Sequence, residues 1–336
     1  RFNQEYLVSK TKHFFNKRNY EILAEKIQKT VGKDKLLPLK KLINEFDEIA
    51  STTSDWSDVL AGEGLVNEED DSSNLFVYPG AVGELIGPFK RGWLVAVMGP
   101  MKRGKSFWLL SMALQSVMKK LNTVFISLEM TKQDTMQRIA RYVTSNENPT
   151  GQEARRRLGM WARHYGKGRF TLLTYPCFSR TMDDIDTDIL YMERVAHFTP
   201  DVIVIDYADI LADTHKSDSE RNRLDQIWKR LKLMATQKNA LVVTASQTNR
   251  AAIKKDSITM TDTAEDIRKA AHVDCMIGLN QTDLEKENQS MRLNIVVHRH
   301  KTFSPFWQVS VETDFSVSNA CANSEWYRRD EDDNSD

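Results

Sequence analysis

Gly99-Pro-Met-Lys-Arg-Gly104-Lys105-Ser106 decides how the rest of the chain is read. It satisfies the spacing G-x-x-x-x-G-K-[ST]. An apolar stretch, Trp93–Met98, enters it, and a helical pattern, Ser106–Lys119, leaves it. That strand–loop–helix context suits phosphate binding. Gly99 and Gly104 allow backbone torsions that turn amide N–H groups inward. Those groups and the helix N-terminus make an anion site. Lys105 supplies a point charge for the β- and γ-phosphates, and Ser106 offers a hydroxyl to Mg²⁺. The expected cofactors are therefore ATP and Mg²⁺. The lining residues are expected to be Gly99, Met101, Lys102, Arg103, Gly104, Lys105, Ser106 and Phe107. For Lys102 and Arg103, phosphate contact and simple solvent exposure are both open readings.

Such a loop needs an acidic partner for the metal. Val202-Ile-Val-Ile-Asp206 puts an Asp at the end of a buried apolar run. In parallel sheets, ligands gather at the C-terminal strand edge, so Asp206 is expected to hold Mg²⁺ with Ser106. Thr123-Val-Phe-Ile-Ser-Leu-Glu129-Met130 ends a second such run with a carboxylate. Glu129 is the expected base that orients and deprotonates water. A third run, Ala240–Ala245, continues into Ser246-Gln247-Thr248-Asn249-Arg250. Gln247 is expected to sense the γ-phosphate.

Outward from these motifs, apolar β-rich runs alternate with helical patterns. Strands are predicted at Trp93–Met98, Thr123–Leu128, Phe170–Thr174, Val202–Asp206, Ala240–Ala245, Asp274–Leu279, Leu293–Val297 and Trp307–Val311. Helices are predicted at Ser106–Lys119, Gln133–Val143, Ser217–Gln237 and near Ala264–Ala271. In Ser217–Gln237, the residues Leu224, Ile227, Trp228, Leu231 and Met234 share one face, with Ser217 or Asp218 as cap. Runs such as Val-Ile-Val-Ile are how strands buried on both faces read. The pattern predicts an α/β fold with a mostly parallel central sheet and an antiparallel C-terminal edge.

Charge divides the chain further. Lys plus Arg and Asp plus Glu are both 47 in 336 residues, a net charge of zero. The zero excludes a uniformly basic nucleic-acid binder but hides unlike parts. Residues 1–41 hold 11 basic and 4 acidic side chains, and residues 42–89 hold 11 acidic and none basic. Residues 90–329 hold 36 basic and 27 acidic, and five acids crowd the last seven positions. Residues 1–50 read as a helical arm, 51–74 as an acidic linker, 75–320 as a motor domain and 321–336 as an acidic tail. No apolar run approaches the roughly 20 residues needed to span a bilayer, so no membrane partner is expected. Three distant cysteines point to a reduced, cytoplasmic setting, in a bacterium or a phage-infected host, and no zinc motif occurs.

GPMKRGKS, SLEM, VIVIDY and ASQTNR, in this order, resemble the RecA-like motor domain of DnaB-type hexameric replicative helicases. The approach Tyr78-Pro-Gly…Leu85-Ile-Gly-Pro-Phe-Lys-Arg-Gly-Trp93 and the stretch Gly278-Leu-Asn-Gln-Thr…Met291-Arg-Leu resemble it too, the latter in phage- or plasmid-type relatives. The resemblance covers about residues 75–312. It implies a RecA-like P-loop NTPase preceded by a helical linker arm. It implies a homo-hexameric ring with ATP between subunits, single-stranded DNA as partner, movement 5′ to 3′, and a primase and a helicase loader as further partners. It also implies a basic finger donated across the interface. Arg299 and Lys301 in Val297-His-Arg-His-Lys301 stand at that place in reversed order, and a one-residue shift puts His298 and His300 there instead. Two DNA-facing loops are implied at about Asp213–Arg223 and Ala251–Glu265. Their candidate phosphate contacts are Lys216, Arg221, Arg223, Arg250, Lys254 and Lys255. Where many relatives have Asp-Ile-Arg-Glu-Ser, Asp262-Thr-Ala-Glu265-Asp puts Ala264 at the expected Arg. The run Arg155–Arg157 reads as a solvated helix face.

Two other functions fit parts of this pattern. A recombination or regulatory ATPase without unwinding would share Gly99–Ser106, Glu129 and Asp206. A small-molecule kinase would also need a lid and an acceptor pocket, and the sequence shows neither.

Overall fold

The computed structural model describes residues 72–166, 169–213, 219–249, 252, 255, 257–263 and 267–328, together with Glu21 and Glu25. The chain divides into two compact units, residues 1–71 and 72–336. In the first unit, Glu21 and Glu25 are helical and exposed. The arm and the acidic linker otherwise lie outside the described residues, as do the last eight positions.

The second unit opens with a small antiparallel pair, β1 (Asn74–Val77) and β2 (Pro88–Lys90). A nine-stranded sheet follows. In chain order its strands are β3 (Leu94–Gly99), β4 (Thr123–Ser127), β5 (Phe170–Thr174), β6 (Val202–Asp206), β7 (Leu241–Gln247), β8 (Cys275–Asn280), β9 (Ser290–His298), β10 (Trp307–Asp314) and β11 (Asn319–Arg328). Across the sheet the order is β11-β10-β9-β8-β3-β7-β6-β4-β5. The six strands from β8 to β5 are parallel, and β9, β10 and β11 add on antiparallel. Every predicted strand is present, and the C-terminal edge is antiparallel as expected. β11 takes in residues 321–328, which the charge pattern assigns to the tail. Its exposed residues alternate poorly and read as polar.

Eight helices accompany the sheet among the described residues: α1 (Gly80–Ile86), α2 (Lys105–Met118), α3 (Lys132–Thr144), α4 (Gly151–Tyr165), α5 (Met182–Val195), α6 (Glu220–Gln237), α7 (Arg268–His272) and α8 (Asp283–Glu287). Strand side chains alternate in direction, and the core divides accordingly. Val95, Val97, Val202, Val204 and Val243 pack with Trp108, Leu109 and Met112 of α2 and Ile139 of α3. Leu94, Ala96, Met98, Ile203 and Ile205 pack with Ile185 and Ile189 of α5 and with Ile227, Trp228 and Leu231 of α6. Helices thus cover both faces, which is why β3, β6 and β8 are apolar at nearly every position.

The predicted face of α6 is buried throughout. Its cap is Ser219, whose hydroxyl accepts a hydrogen bond from the Asn222 N–H. This corrects the expectation of Ser217 or Asp218, which lie outside the described residues. Helices α1, α4, α5 and α8 are not among the predicted helices. α4 buries Ala154, and Leu158 and Trp161, at successive steps of four and three residues from it, pack half-buried against the core. Among the described residues no helix is long and apolar enough to cross a membrane.

Candidate functional site

The parallel register brings the separated motifs to one edge. Gly99 at the end of β3 stands beside Gln247 at the end of β7, and Ser127 at the end of β4 stands beside Asp206 at the end of β6. Two residues beyond Ser127, Glu129 is exposed at the rim. The Ser127 hydroxyl bonds both the N–H and the carbonyl of Met130, closing the turn that presents Glu129. The Leu128 N–H donates to the Asp206 carbonyl at 2.8 Å, which ties this turn to β6.

The loop itself is shaped by glycine. Gly104 has φ +79° and caps α2. A Cβ there would also meet Phe315 Cζ at 2.6 Å. The Lys105 ammonium folds back over the loop and donates to the carbonyls of Gly99 and Pro100 at 2.9 and 2.8 Å. Burial lowers its pKa from 10.5 to about 8, against the pull of Glu129, Asp206 and Asp209. The lysine is thus poised to leave two carbonyls for a stronger anion.

Ser106 donates its hydroxyl to Asp206 Oδ1 at 3.1 Å. Asp206 is 1% exposed, and its Oδ2 is buried with no hydrogen-bond partner. Burial raises its pKa to about 6, opposed by the Ser106 hydroxyl and reinforced by nearby Glu129. A buried carboxylate oxygen without a partner, beside a serine hydroxyl, fits a hard cation that prefers oxygen ligands. Mg²⁺ would be held there by Ser106 and Asp206.

These residues surround a cavity of about 800 Å³, within the range of small-ligand pockets. Met101, Lys102, Gly104, Lys105, Ser106, Phe107, Glu129, Asp206 and Gln247 all line it. Gly99 lies under the loop, offering its carbonyl to Lys105. Arg103 does not line the cavity. Its guanidinium lies 3.8 Å from Asp283, at the start of α8. Gln247 donates its amide N–H to the Tyr207 hydroxyl at 2.9 Å.

Sequence reasoning missed the cavity's second wall, which α3 supplies through Asp134, Gln137, Arg138 and Arg141. The Arg138 guanidinium lies 4.2 Å from the centroid of the Phe107 ring, which stacks on Phe315 at 4.6 Å. Burial pulls the Arg138 pKa down, opposed first by Asp206 and then by Glu129. The signal was available: Thr131 caps α3, accepting from the Asp134 N–H, and fixes which residues face back to the loop.

The expected finger lies elsewhere. His298 pairs with Cys275 at the start of β8, so β9 ends at the edge opposite the cavity. Arg299 donates to the carbonyls of Val273, at 3.0 Å, and Ala271. Lys301 donates to the carbonyls of Glu84 and Leu85. His298 bonds the Ile86 carbonyl, and His300 bonds Asp274 Oδ1 and stacks on Trp93. Neither basic residue reaches the cavity of its own chain.

The candidate DNA contacts divide. Lys216, Arg250, Lys254 and the departure at Ala264 lie outside the described residues. Arg221 is exposed in the first turn of α6. Arg223 donates to the carbonyl of Asp209 at 2.8 Å, to that of Leu211, and to the Glu220 carboxylate, and so pins the start of α6. Lys255 pairs with buried Asp262 at 2.6 Å. A further pair, buried on its lysine side, lies behind the site. Lys269, 1% exposed, donates to Asp209 Oδ2 at 2.7 Å, and the Trp228 indole donates to Oδ1.

The DnaB-like helicase C-terminal domain model matches residues 81–309. A DnaB-like replicative helicase of Enterobacteria phage T4 is 23% identical over 207 residues, covering 59% of this chain and 44% of that protein. The chain therefore spans less than half the length of that curated relative. Among solved structures, an ATPase domain superposes with a TM-score of 0.63 at 18% identity, covering 75% of this chain and 93% of that one. A DnaB-like replicative helicase, described with its interactions with primase, superposes at 0.70 and 19% identity, covering 92% and 76%.

Proposed function

Because the chain belongs to the family of DnaB-like helicase C-terminal domains, we propose that it is an ATP-driven motor of DNA replication. It hydrolyses ATP between the subunits of a homo-hexameric ring, moves along single-stranded DNA and unwinds duplex. One observation carries this reading. Lys105, Ser106, Asp206, Glu129 and Gln247 converge from four strand ends on one cavity of nucleotide size.

The roles follow from position. Lys105 leaves the Gly99 and Pro100 carbonyls for the β- and γ-phosphates. Ser106 and Asp206 hold Mg²⁺, which when bound neutralises phosphate charge. Glu129, at the rim, orients and deprotonates the attacking water. Gln247 meets the γ-phosphate and, through Tyr207, links it to the turn after β6. Arg299 and Lys301, at the far edge, serve a neighbour's cavity and stabilise charge on the transferring phosphoryl group. A primase is a further partner on this reading, by analogy with the relative whose structure was described with primase, and a loader is one that the family resemblance alone implies.

The test is unwinding of a forked duplex, with ATP turnover measured in parallel with and without single-stranded DNA. Strand separation that needs ATP, and turnover that DNA stimulates, are expected. DNA-stimulated turnover without strand separation would replace this reading with a non-unwinding ATPase. Turnover indifferent to DNA would reject both.

A further inference from the structure

The antiparallel edge of the sheet buries a polar row that phosphate binding does not use. Asn280 at the end of β8 and Asn294 on the neighbouring β9 are 3% and 7% exposed. Arg292 on β9 and Gln308 on β10 are buried too, and the Arg292 guanidinium donates to the Gln308 side-chain carbonyl at 3.3 Å. Amides placed in a core cost free energy unless they find partners. Here the partners lie in the loop after β7. The Ile258 N–H donates to Asn280 Oδ1 at 2.8 Å, and Asn294 Nδ2 donates to the Ile258 carbonyl at 2.9 Å. The Asn280 amide closes the ring by donating to Asn294 Oδ1 at 2.9 Å. Both backbone groups of Ile258 are therefore held, as a paired strand would hold them. One residue earlier, the Ser257 hydroxyl accepts from Gln308 Nε2 at 3.1 Å. Gly278 makes the room for this ring, since a Cβ there would meet Asn294 Oδ1 at 2.3 Å.

The same loop is tied to the phosphate loop from two sides. Leu279, next to Asn280, stands 3.3 Å from where a Cβ on Gly99 would lie. The Gly99 carbonyl accepts from the Thr248 N–H at 3.3 Å, and the next residue, Asn249, donates its N–H to the Asp262 carbonyl at 2.8 Å. The loop is thus gripped at Ile258 and again at Asp262, and each grip sits one residue from a contact with Gly99. Between the grips, Thr259, Met260 and Thr261 are exposed, whereas Ile258 itself is 1% exposed.

We propose that Asn280 and Asn294 are positioning residues for DNA-stimulated turnover, holding Ile258 so that its loop keeps one arrangement relative to Gly99. The inference deepens the motor reading and rests on it, with residues 251–265 as a DNA contact. A loop that needed only cover would be held by apolar burial alone, which the Ile258 side chain already supplies. Apolar burial is non-directional and tolerates sliding, whereas a closed ring of amide hydrogen bonds fixes the backbone register. A pull on the exposed residues then reaches Leu279 and Gly99 through β8 instead of being lost in a slack loop.

The test compares wild type, Asn294→Ala and the milder Ser257→Ala in the full chain. ATP turnover is measured against oligothymidylate concentration, and hydrogen exchange is followed by mass spectrometry over peptides spanning residues 252–262. In Asn294→Ala, turnover without DNA and the KM for ATP should stay within about twofold of wild type, because neither requires the clamp. The oligothymidylate concentration for half-maximal stimulation should rise about tenfold, the population shift expected from losing a buried hydrogen bond. Exchange in the loop should quicken by a similar factor. Ser257→Ala should move both readouts the same way by about threefold, and it decides the matter if Asn294→Ala does not fold. Faster loop exchange with unchanged DNA stimulation overturns the proposal, since the amides then only support the fold, and leaves the motor reading intact. Unchanged exchange, or equal loss of basal and stimulated turnover, overturns it as well. Wild-type turnover that oligothymidylate does not stimulate overturns the motor reading and this inference with it.

Discussion

A lysine whose pKa is held near 8 takes up a proton when phosphates arrive. Free Lys105 is about half neutral at pH 8, because burial has lowered its pKa. Phosphate charge favours the protonated form, so nucleotide binding at pH 8 should draw in up to about half a proton. Calorimetry in buffers of different ionisation enthalpy measures this, and Lys105→Ala should abolish nucleotide binding altogether. Asp206 works in the opposite sense. Folded, it keeps its proton up to about 6, whereas the ordinary value is 3.8. The nucleotide-free protein therefore gains stability from Asp206 as pH falls through that window. Mg²⁺-dependent nucleotide binding should weaken over the same range, and Asp206→Asn should remove the stability slope. Glu129→Gln should still bind ATP but hydrolyse it about 10²- to 10⁴-fold more slowly. Arg138, resting on Phe107 near Asp206, forms no ion pair among the described residues of the cavity. Arg138→Ala should weaken ATP binding more than ADP binding, and equal losses would point to a purely structural role.

The turn at Gly104 shows how one element depends on another far away in sequence. Its positive φ demands glycine, and the Phe315 ring fills the space a side chain would need. Gly104→Ala should lower stability by about 1 kcal/mol or more, from torsion alone, and displace Phe315, Phe107 and the Arg138 resting on it. A melting curve with and without nucleotide checks both losses. The glycine was legible in the sequence; its pressure against Phe315 was not, because nothing in residues 99–106 points to the end of β10. Legibility followed burial in the same way. Strands covered on both faces, such as Val202–Asp206, wrote themselves as apolar runs, and their carboxylates appeared where those runs ended. Helix α4 shows only a thin stripe, Ala154, Leu158 and Trp161, crowded by arginines, though Thr150 capping the Glu153 N–H marks its start. α5 likewise opens on a capping box of Thr181 and Asp184. Arg223 and Lys255 looked like free cations because sequence cannot show that Glu220 and Asp262 fold against them.

A largely buried ion pair lies just behind the working edge of the domain. Lys269 and Asp209 join α7 to the turn after β6, with Trp228 as a third member. Removing only the lysine leaves a carboxylate 14% exposed and still bonded to Trp228, so Lys269→Ala should cost up to about 3 kcal/mol in denaturant unfolding, below the full penalty of a buried unpaired charge. Across the sheet, the cavity and the two basic residues Arg299 and Lys301 occupy opposite edges, with roughly 16 Å of strand between them. If these residues act on a neighbour, mixing Arg299→Ala chains with Lys105→Ala chains should restore some turnover. No recovery at any ratio would count against it. That separation also has an arithmetic consequence. If Arg299 and Lys301 complete a neighbour's cavity, chains with half of a site at each end join head to tail, so an open row wastes one half at either extremity, while a closed circle wastes none. Turnover per chain should therefore climb with protein concentration and level off only when rows close, and a substoichiometric dose of a chain defective at one end should silence more sites than its own share.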